Sequence, residues 1–233
     1  MKLFQNNFCI INYSESLEEL IDKTVEVLNK KIKEYENIFN INIKDKIVIN
    51  YFDKLEEFRE FIYDIRGERN SLPEYAKGTY DNDMINAYID INLLDKKIYN
   101  ASHELFHILY LKQILNGDLR NRIVWYDEGM AQFISGEKDY LNDEKEFIKY
   151  YKELKEKNKI IPNLNELYHG TSFMNDNYNG YQLSYLSIRY LYEILSEEEF
   201  YSLLFDIDKV KEIGCDIAEK AIKYFNDRLK RLV

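Results

Sequence analysis

The chain has 233 residues and a mass of 28.2 kDa, enough for one large domain or two small lobes with a sizeable core. With 45% hydrophobic and 32% charged residues but only 8 Gly and 2 Pro, it is neither disordered, collagen-like nor a Gly/Pro-punctuated sandwich of short strands. The 32 basic and 42 acidic residues give a net charge of −10, which phosphate backbones and anionic lipid repel, so nucleic-acid and membrane-surface binding are not expected.

At the amino end, Gln5, Asn6 and Asn7 interrupt any hydrophobic signal region, and no run approaches the ~18 apolar residues of a membrane span. A cytoplasmic protein is therefore expected. Phe8–Asn12 is an apolar, β-branched run that predicts a strand,. From Ser14 to about Asn40, Leu17, Leu20, Ile21, Val25, Leu28, Ile32 and Tyr35 recur at helical spacing,. Lys46–Phe52 predicts a second strand, with Asp53 placed to cap a helix over Leu55–Ile65,. The stretch from Gly67 to Gly78, with Pro73 inside it, reads as a loop,. Thr79–Tyr80 and Ile85–Ile91 then predict two short strands turning at Asp81–Asp83,.

From Tyr99 onward the periodicity is helical: Tyr99–Leu115, a turn at Asn116–Gly117–Asp118, then Trp125–Ile134, Asp143–Lys157, Tyr178–Leu195, Ser196–Phe205 and Cys215–Leu232,. Cys9 and Cys215 stand at opposite ends of the chain with no CxxC or Cys/His spacing, so both read as core thiols rather than disulfide or thiolate-metal partners.

Residues 103–107 read His-Glu-Leu-Phe-His. On a helix, positions i and i+4 share a face with Cβ atoms about 6 Å apart, so both imidazoles can reach a single zinc ion. Hydrolytic zinc takes three N/O protein ligands and one exchangeable water, and Glu104, one residue after the first ligand, falls near that water,. Ile98, Ala101, Leu105, Ile108 and Leu109 form an apolar stripe beside the His103–His107 face,. An ordinary amphipathic helix with two half-buried histidines is the plain alternative. Two of the 3 histidines falling in one helical turn argue against it.

A third ligand is expected from a second helix, and 21 residues beyond His107 stands Glu128 in Trp125-Tyr126-Asp127-Glu128-Gly129-Met130-Ala131-Gln132-Phe133. Together these two segments resemble the gluzincin zinc metallopeptidases, in particular their aminopeptidase-like branch, in which H-E-x-x-H is followed by a W-x-x-E-G-x-A-x-aromatic helix. The resemblance spans roughly residues 78–225 and is strongest over 101–133. It implies His103, His107 and Glu128 as zinc ligands and Glu104 as the general base that takes a proton from the metal-activated water. Asp127 and Gln132 are possible groups orienting the imidazoles.

Tyr181-Gln182-Leu183-Ser184-Tyr185-Leu186 resembles the family helix whose leading tyrosine donates to the tetrahedral oxyanion, which gives Tyr181 that role, with Tyr178 and Tyr185 as alternatives,. His169, in the loop Leu167-Tyr168-His169-Gly170, is either an electrophile over the substrate carbonyl, as in thermolysin-like relatives, or a solvent-exposed loop residue. The resemblance makes Ile85–Ile91 an edge strand that pairs with extended substrate. A G-x-M-E-N loop with amine-binding glutamates is not evident, since the corresponding residues are Gly78-Thr79-Tyr80-Asp81-Asn82-Asp83, so endopeptidase action is expected.

The resulting expectation is an α+β, zincin-like fold. Residues 1–115 would form an N-terminal mixed α/β lobe with a small sheet, ending in the HELFH helix. Residues 116–233 would form a C-terminal helical lobe carrying the third zinc ligand, with the active-site cleft between the two. The expected activity is zinc-dependent hydrolysis of peptide or protein substrates. A catalytically silent binding or scaffold protein of the same fold, and a narrow-specificity toxin protease, are the alternatives. Oligomeric state is not readable.

Overall fold

The computed structural model describes residues 1–68, 72, 76–168 and 172–231 and comprises two units, Met1–Leu109 and Tyr110–Val233. Pro73 and His169, both singled out in the sequence, lie outside the described residues.

The strands of the first unit are β1 (Lys2–Gln5), β2 (Cys9–Tyr13), β3 (Ile47–Phe52), β4 (Gly78–Asp81) and β5 (Met84–Tyr88), of which β2 and β3 are β-branched and aromatic runs,. They form one sheet in the order β1-β2-β3-β5-β4, with β2, β3 and β5 parallel and antiparallel strands at both edges. β1 is not evident from the sequence pattern. It exists because Asn6 closes a tight turn, its Oδ1 accepting from the Phe8 and Cys9 N–H groups at 2.9 Å each,.

α1 (Glu18–Phe39) connects β2 to β3 and ends at Asn40, whose φ of 51° supplies the left-handed cap,. α2 (Leu55–Arg66) follows β3. Asp53 does not cap it, contrary to expectation: Lys54 occupies that position, and the Asp53 carboxylate instead accepts from Ser16 Oγ at 2.5 Å.

The two faces of the sheet differ. Cys9, Ile11, Ile47, Ile49, Tyr51, Ile85 and Ala87 are buried, and in register they share one face,. On the other face Asn12, Asn50 and Asn86 stand side by side across three strands, with Asn12 Nδ2 donating to Asn50 Oδ1 and Asn50 Nδ2 to Asn86 Oδ1, each at 2.8 Å. A one-residue slip would throw this ladder onto the opposite face, so it specifies the register. Phe52 on that face packs with Phe58 and Ile62 of α2.

The β4–β5 hairpin turns through Asn82 and Asp83, at φ 50° and 62°, the two left-handed residues such a two-residue turn requires,. β5 pairs with β3 on one side and β4 on the other, so the expected edge strand Ile85–Ile91 is interior and the edge is β4. After the short α3 (Leu94–Lys97) comes α4 (Asn100–Leu109), which packs on α1, β4 and β5. Phe106 of α4 is fully buried against Tyr35 and Phe39, and Tyr35 Oη donates to the Ser102 carbonyl at 2.9 Å.

The second unit is helical among its described residues. It opens with a π-helical turn, Tyr110–Ile114, and a reversal at Asn116 and Gly117 (φ 50° and 80°). The helices are α5 (Val124–Ile134), α6 (Glu144–Lys157), α7 (Gly180–Ile194), α8 (Glu197–Ser202), α9 (Ile207–Gly214) and α10 (Ile217–Lys230). Asp143 and Asn179 cap α6 and α7, and Ser196 with Glu199 makes a reciprocal capping box on α8,. α7 is the central helix of the unit, packed against both α5 and α10. Cys9 is buried as expected, but Cys215 is exposed and is not a core thiol.

Mixed α/β in the first unit and helix in the second agree with an α+β protein. No helix among the described residues is long and apolar enough to cross a membrane.

Candidate metal centre and active site

α4 carries His103, Glu104 and His107. Every residue from Ala101 to Leu109 is buried except His103, which is half-buried, so α4 is buried nearly all round rather than along the single stripe expected, and one imidazole stands at its margin. The Nε2 atoms of His103 and His107 lie 3.1 Å apart, with ring planes at 78°. Two nitrogens each ~2.0–2.1 Å from one tetrahedral zinc would be separated by about 3.3 Å. The separation of the imidazole pair therefore fits a shared zinc ion, and each Nε2 is a lone-pair donor when its proton is on Nδ1,.

Glu104 sits between them in sequence and is buried. A Cβ built on Gly78 would stand 2.5 Å from Glu104 Oε1 and 3.5 Å from Asn100 Nδ2, so the carboxylate rests directly on the backbone of β4. The next residue on the same side of that strand, Tyr80, faces the His107 ring at 6.3 Å. The Tyr88 N–H donates to the Lys77 carbonyl at 2.8 Å, which fixes the phase of the β4–β5 ladder. Thr79 and Asp81 point their peptide groups at β5, while Gly78 and Tyr80 point theirs away from it,. Arg66 of α2 holds the far face of β4 through Asp81 (Nε to Oδ1, 2.7 Å) and Thr79 (Nη2 to Oγ1, 2.8 Å). Behind α4, burial pushes the Tyr51 phenol well above its usual range, with the Glu104 carboxylate adding to the shift,.

In the second unit, α5 carries Asp127, Glu128 and Gln132. The residues around Glu128 explain themselves by packing. Trp125 is fully buried, its Nε1 donating to Asn165 Oδ1 at 3.2 Å. At Gly129 a Cβ would stand 2.7 Å from Ile188 and 2.8 Å from the Ser184 carbonyl, so glycine lets α5 and α7 approach closely,. Gln132 Nε2 donates to the Glu128 and Tyr181 carbonyls at 3.2 Å each, joining the two helices at the level of the third-ligand candidate.

Arg122, which the sequence reading passed over, reaches both carboxylates. Its Nε donates to Asp127 Oδ2, and its Nη2 donates to Glu128 Oε1 at 3.1 Å. Its signal in the sequence is slight, one arginine shortly before two adjacent acids.

Of the three tyrosines considered, Tyr178 donates its hydroxyl to the Ser172 carbonyl at 2.9 Å. Tyr185 is buried between Phe133 and Tyr150, where burial pushes its phenol up to about 12. Tyr181, at the start of α7, is half-buried with its ring edge-on to Phe173 at 4.7 Å.

A family model described as collagenase matches residues 32–205, about three quarters of the chain. The chain belongs to the collagenase family of peptidases. Members of this family are zinc metallopeptidases, so the protein is a metallopeptidase acting on peptide or protein substrates. The part of the chain matched to the collagenase family includes α4, β4, α5 and the start of α7. No curated protein and no solved structure matches the chain.

Proposed function

We propose that the chain is a gluzincin-type zinc endopeptidase of zincin-like fold, with His103, His107 and Glu128 as metal ligands and Glu104 as general base. The observation that carries the proposal is the α4 face, where two imidazole nitrogens stand 3.1 Å apart and the carboxylate between them is packed on an edge strand. Family membership and the Trp125–Phe133 motif support Glu128 as the third ligand. Two neutral imidazoles and one carboxylate leave a zinc ion about one positive charge, which keeps it a strong Lewis acid.

Bound zinc would supply that acidity and a water of lowered pKa. The protein's own groups do the rest. Glu104 takes the proton of the attacking water and returns it to the leaving amine. Its burial against Gly78 restricts the carboxylate to a narrow range of positions, which favours one proton-transfer geometry,. Tyr181 donates its hydroxyl to the oxyanion. Tyr181 is half-buried where Tyr185 is buried, and the Tyr178 hydroxyl is given to the Ser172 carbonyl. Gly78 and Tyr80 of β4 offer outward-facing N–H and C=O groups to an extended peptide, which would add as a further strand,. An edge that receives the middle of a chain suits an endopeptidase. A scaffold would not need a buried carboxylate between the two histidines.

The test is cleavage of casein and of a mixed peptide library by the purified protein. Cleavage that stops with a chelator and returns with zinc is expected. No cleavage of either by zinc-loaded, folded protein would refute the reading.

A further inference from the structure

We propose that Arg122 is a positioning residue for the third metal ligand: by holding one oxygen of Glu128, it restricts that carboxylate to coordination through the other oxygen and so keeps a place open for water. The inference rests on the reading of Glu128 as a ligand. It adds the group that sets how Glu128 binds.

The geometry comes from the backbone. Arg122 lies in extended conformation (φ −64°, ψ 124°) just before α5, so its side chain can reach over the helix's first turn. Asp127 and Glu128 are consecutive on α5 and diverge by about 100° around its axis. One planar guanidinium spans the gap, giving Nε to Asp127 and Nη2 to Glu128 Oε1. A lysine ammonium is a point charge on a flexible stem and has no such fork. The adjacent Gln132 fixes α5 to α7 through the Glu128 carbonyl, so backbone and carboxylate of the same residue are both held.

Burial and charge point the same way. The side chains of Arg122, Asp127 and Glu128 are only 14%, 2% and 8% exposed. Two carboxylates share one guanidinium, so these three groups together carry one negative charge in excess, which a cation would compensate. Buried ion clusters of this kind are generally no more stabilising than apolar side chains of the same volume. A role in orienting a ligand accounts for the cluster better than stability does.

The consequence for chemistry follows from the coordination number. Catalytic zinc keeps three protein ligands and one solvent place, and a carboxylate binding through both oxygens competes for that place. Groups that hydrogen-bond a ligand carboxylate fix its orientation, and their loss typically costs about 10–100-fold in metal affinity.

The experiment uses the full chain and the variants Arg122→Ala, Arg122→Lys, Glu128→Ala and the double variant Arg122→Ala/Glu128→Ala. Zinc affinity is measured by competition with a chromophoric chelator, and coordination number from the visible absorption of the cobalt(II)-loaded proteins. Thermal melts of the metal-free forms establish that each is folded.

The expected result for Arg122→Ala is a 10–100-fold loss of zinc affinity, with a cobalt spectrum weakened toward that of a five-coordinate ion. In the Glu128→Ala background the same change should add less than threefold. Arg122→Lys should keep the fold and still show the altered cobalt spectrum, and it carries the test if Arg122→Ala does not fold. An unchanged cobalt spectrum in a folded arginine variant overturns the positioning role, as does an equal loss of affinity with and without Glu128. If Glu128→Ala alone leaves zinc affinity unchanged, the ligand assignment fails, and this proposal with it.

Discussion

Gly78→Ala tests the base assignment without touching any metal ligand. The backbone at Gly78 is not in the left-handed region, so alanine fits the strand conformation,. The new methyl group would stand 2.5 Å from Glu104 Oε1 and 3.4 Å from its Cδ. Ordinary contact begins near 3.4 Å, so the carboxylate has to retreat by about 1 Å. The strand is held by its ladder to β5 and by Arg66 on the far face, whereas the glutamate ends in three rotatable bonds, so the side chain yields and the strand stays.

A misplacement of about 1 Å can cost ~10²-fold in rate, or about 2.7 kcal/mol. If nothing moved, the overlap would instead appear as about 1–3 kcal/mol of lost stability. We expect the first outcome: kcat on a fluorogenic peptide falls about 10²-fold, KM changes little, and zinc content and melting temperature stay close to those of the parent. Glu104→Asp withdraws the carboxylate by one methylene, so adding Gly78→Ala in that background should cost much less than in the parent. A Gly78→Ala enzyme with kcat within threefold of the parent would refute the reasoning.

Other expectations concern the base, the sheet and alkaline stability. Glu104→Gln should cut turnover by orders of magnitude while metal analysis after dialysis shows zinc retained; equal loss of metal would contradict the division between base and ligand. Asn50→Ala removes the middle of the asparagine ladder and leaves Asn12 and Asn86 each without a bond of 2.8 Å. Urea unfolding should show a loss of about 1–3 kcal/mol, and an unchanged midpoint would count against the ladder. Burial pushes the Cys9 thiol up from 9.0 to about 11 and the Tyr185 phenol from 10.0 to about 12. In both, the folded state holds the proton longer than the unfolded state. Their stabilisation is therefore complete below about pH 9 and lost as pH rises through 11 and 12. The urea midpoint should fall between pH 9 and 11, and a flat profile there would contradict these burials.

Much of the helical layout follows directly from periodicity, because α1 and α6 each bury a stripe at helical spacing, and Asn40, Asp143 and Asn179 mark the end of α1 and the starts of α6 and α7,. The His103-to-His107 spacing is equally local, one turn of one helix, and needs no tertiary information. What the sequence hides is set by contacts between distant residues. β1 is a four-residue strand whose existence depends on pairing with β2. α9 is short, and Gly214 at its end is fitted against Trp125 and Asn165, far away in the chain.

Which hairpin strand forms the sheet edge is a matter of pairing order, and the alternating pattern of β5 reads the same in either position. Gly78 looks like loop punctuation until the Glu104 carboxylate is seen resting on it. Arg122 lies five and six residues from its partners, a spacing with no periodic signature outside a helix.

The central claim is that two imidazoles and one carboxylate hold zinc. It is met most directly by an anomalous difference map from crystals of the zinc-loaded protein. The account predicts one strong peak about 2.0–2.1 Å from Nε2 of both His103 and His107 and about 2.0–2.2 Å from one carboxylate oxygen of Glu128. A peak bonded to other side chains, or Glu128 outside bonding distance of a zinc held by the two histidines, would contradict it.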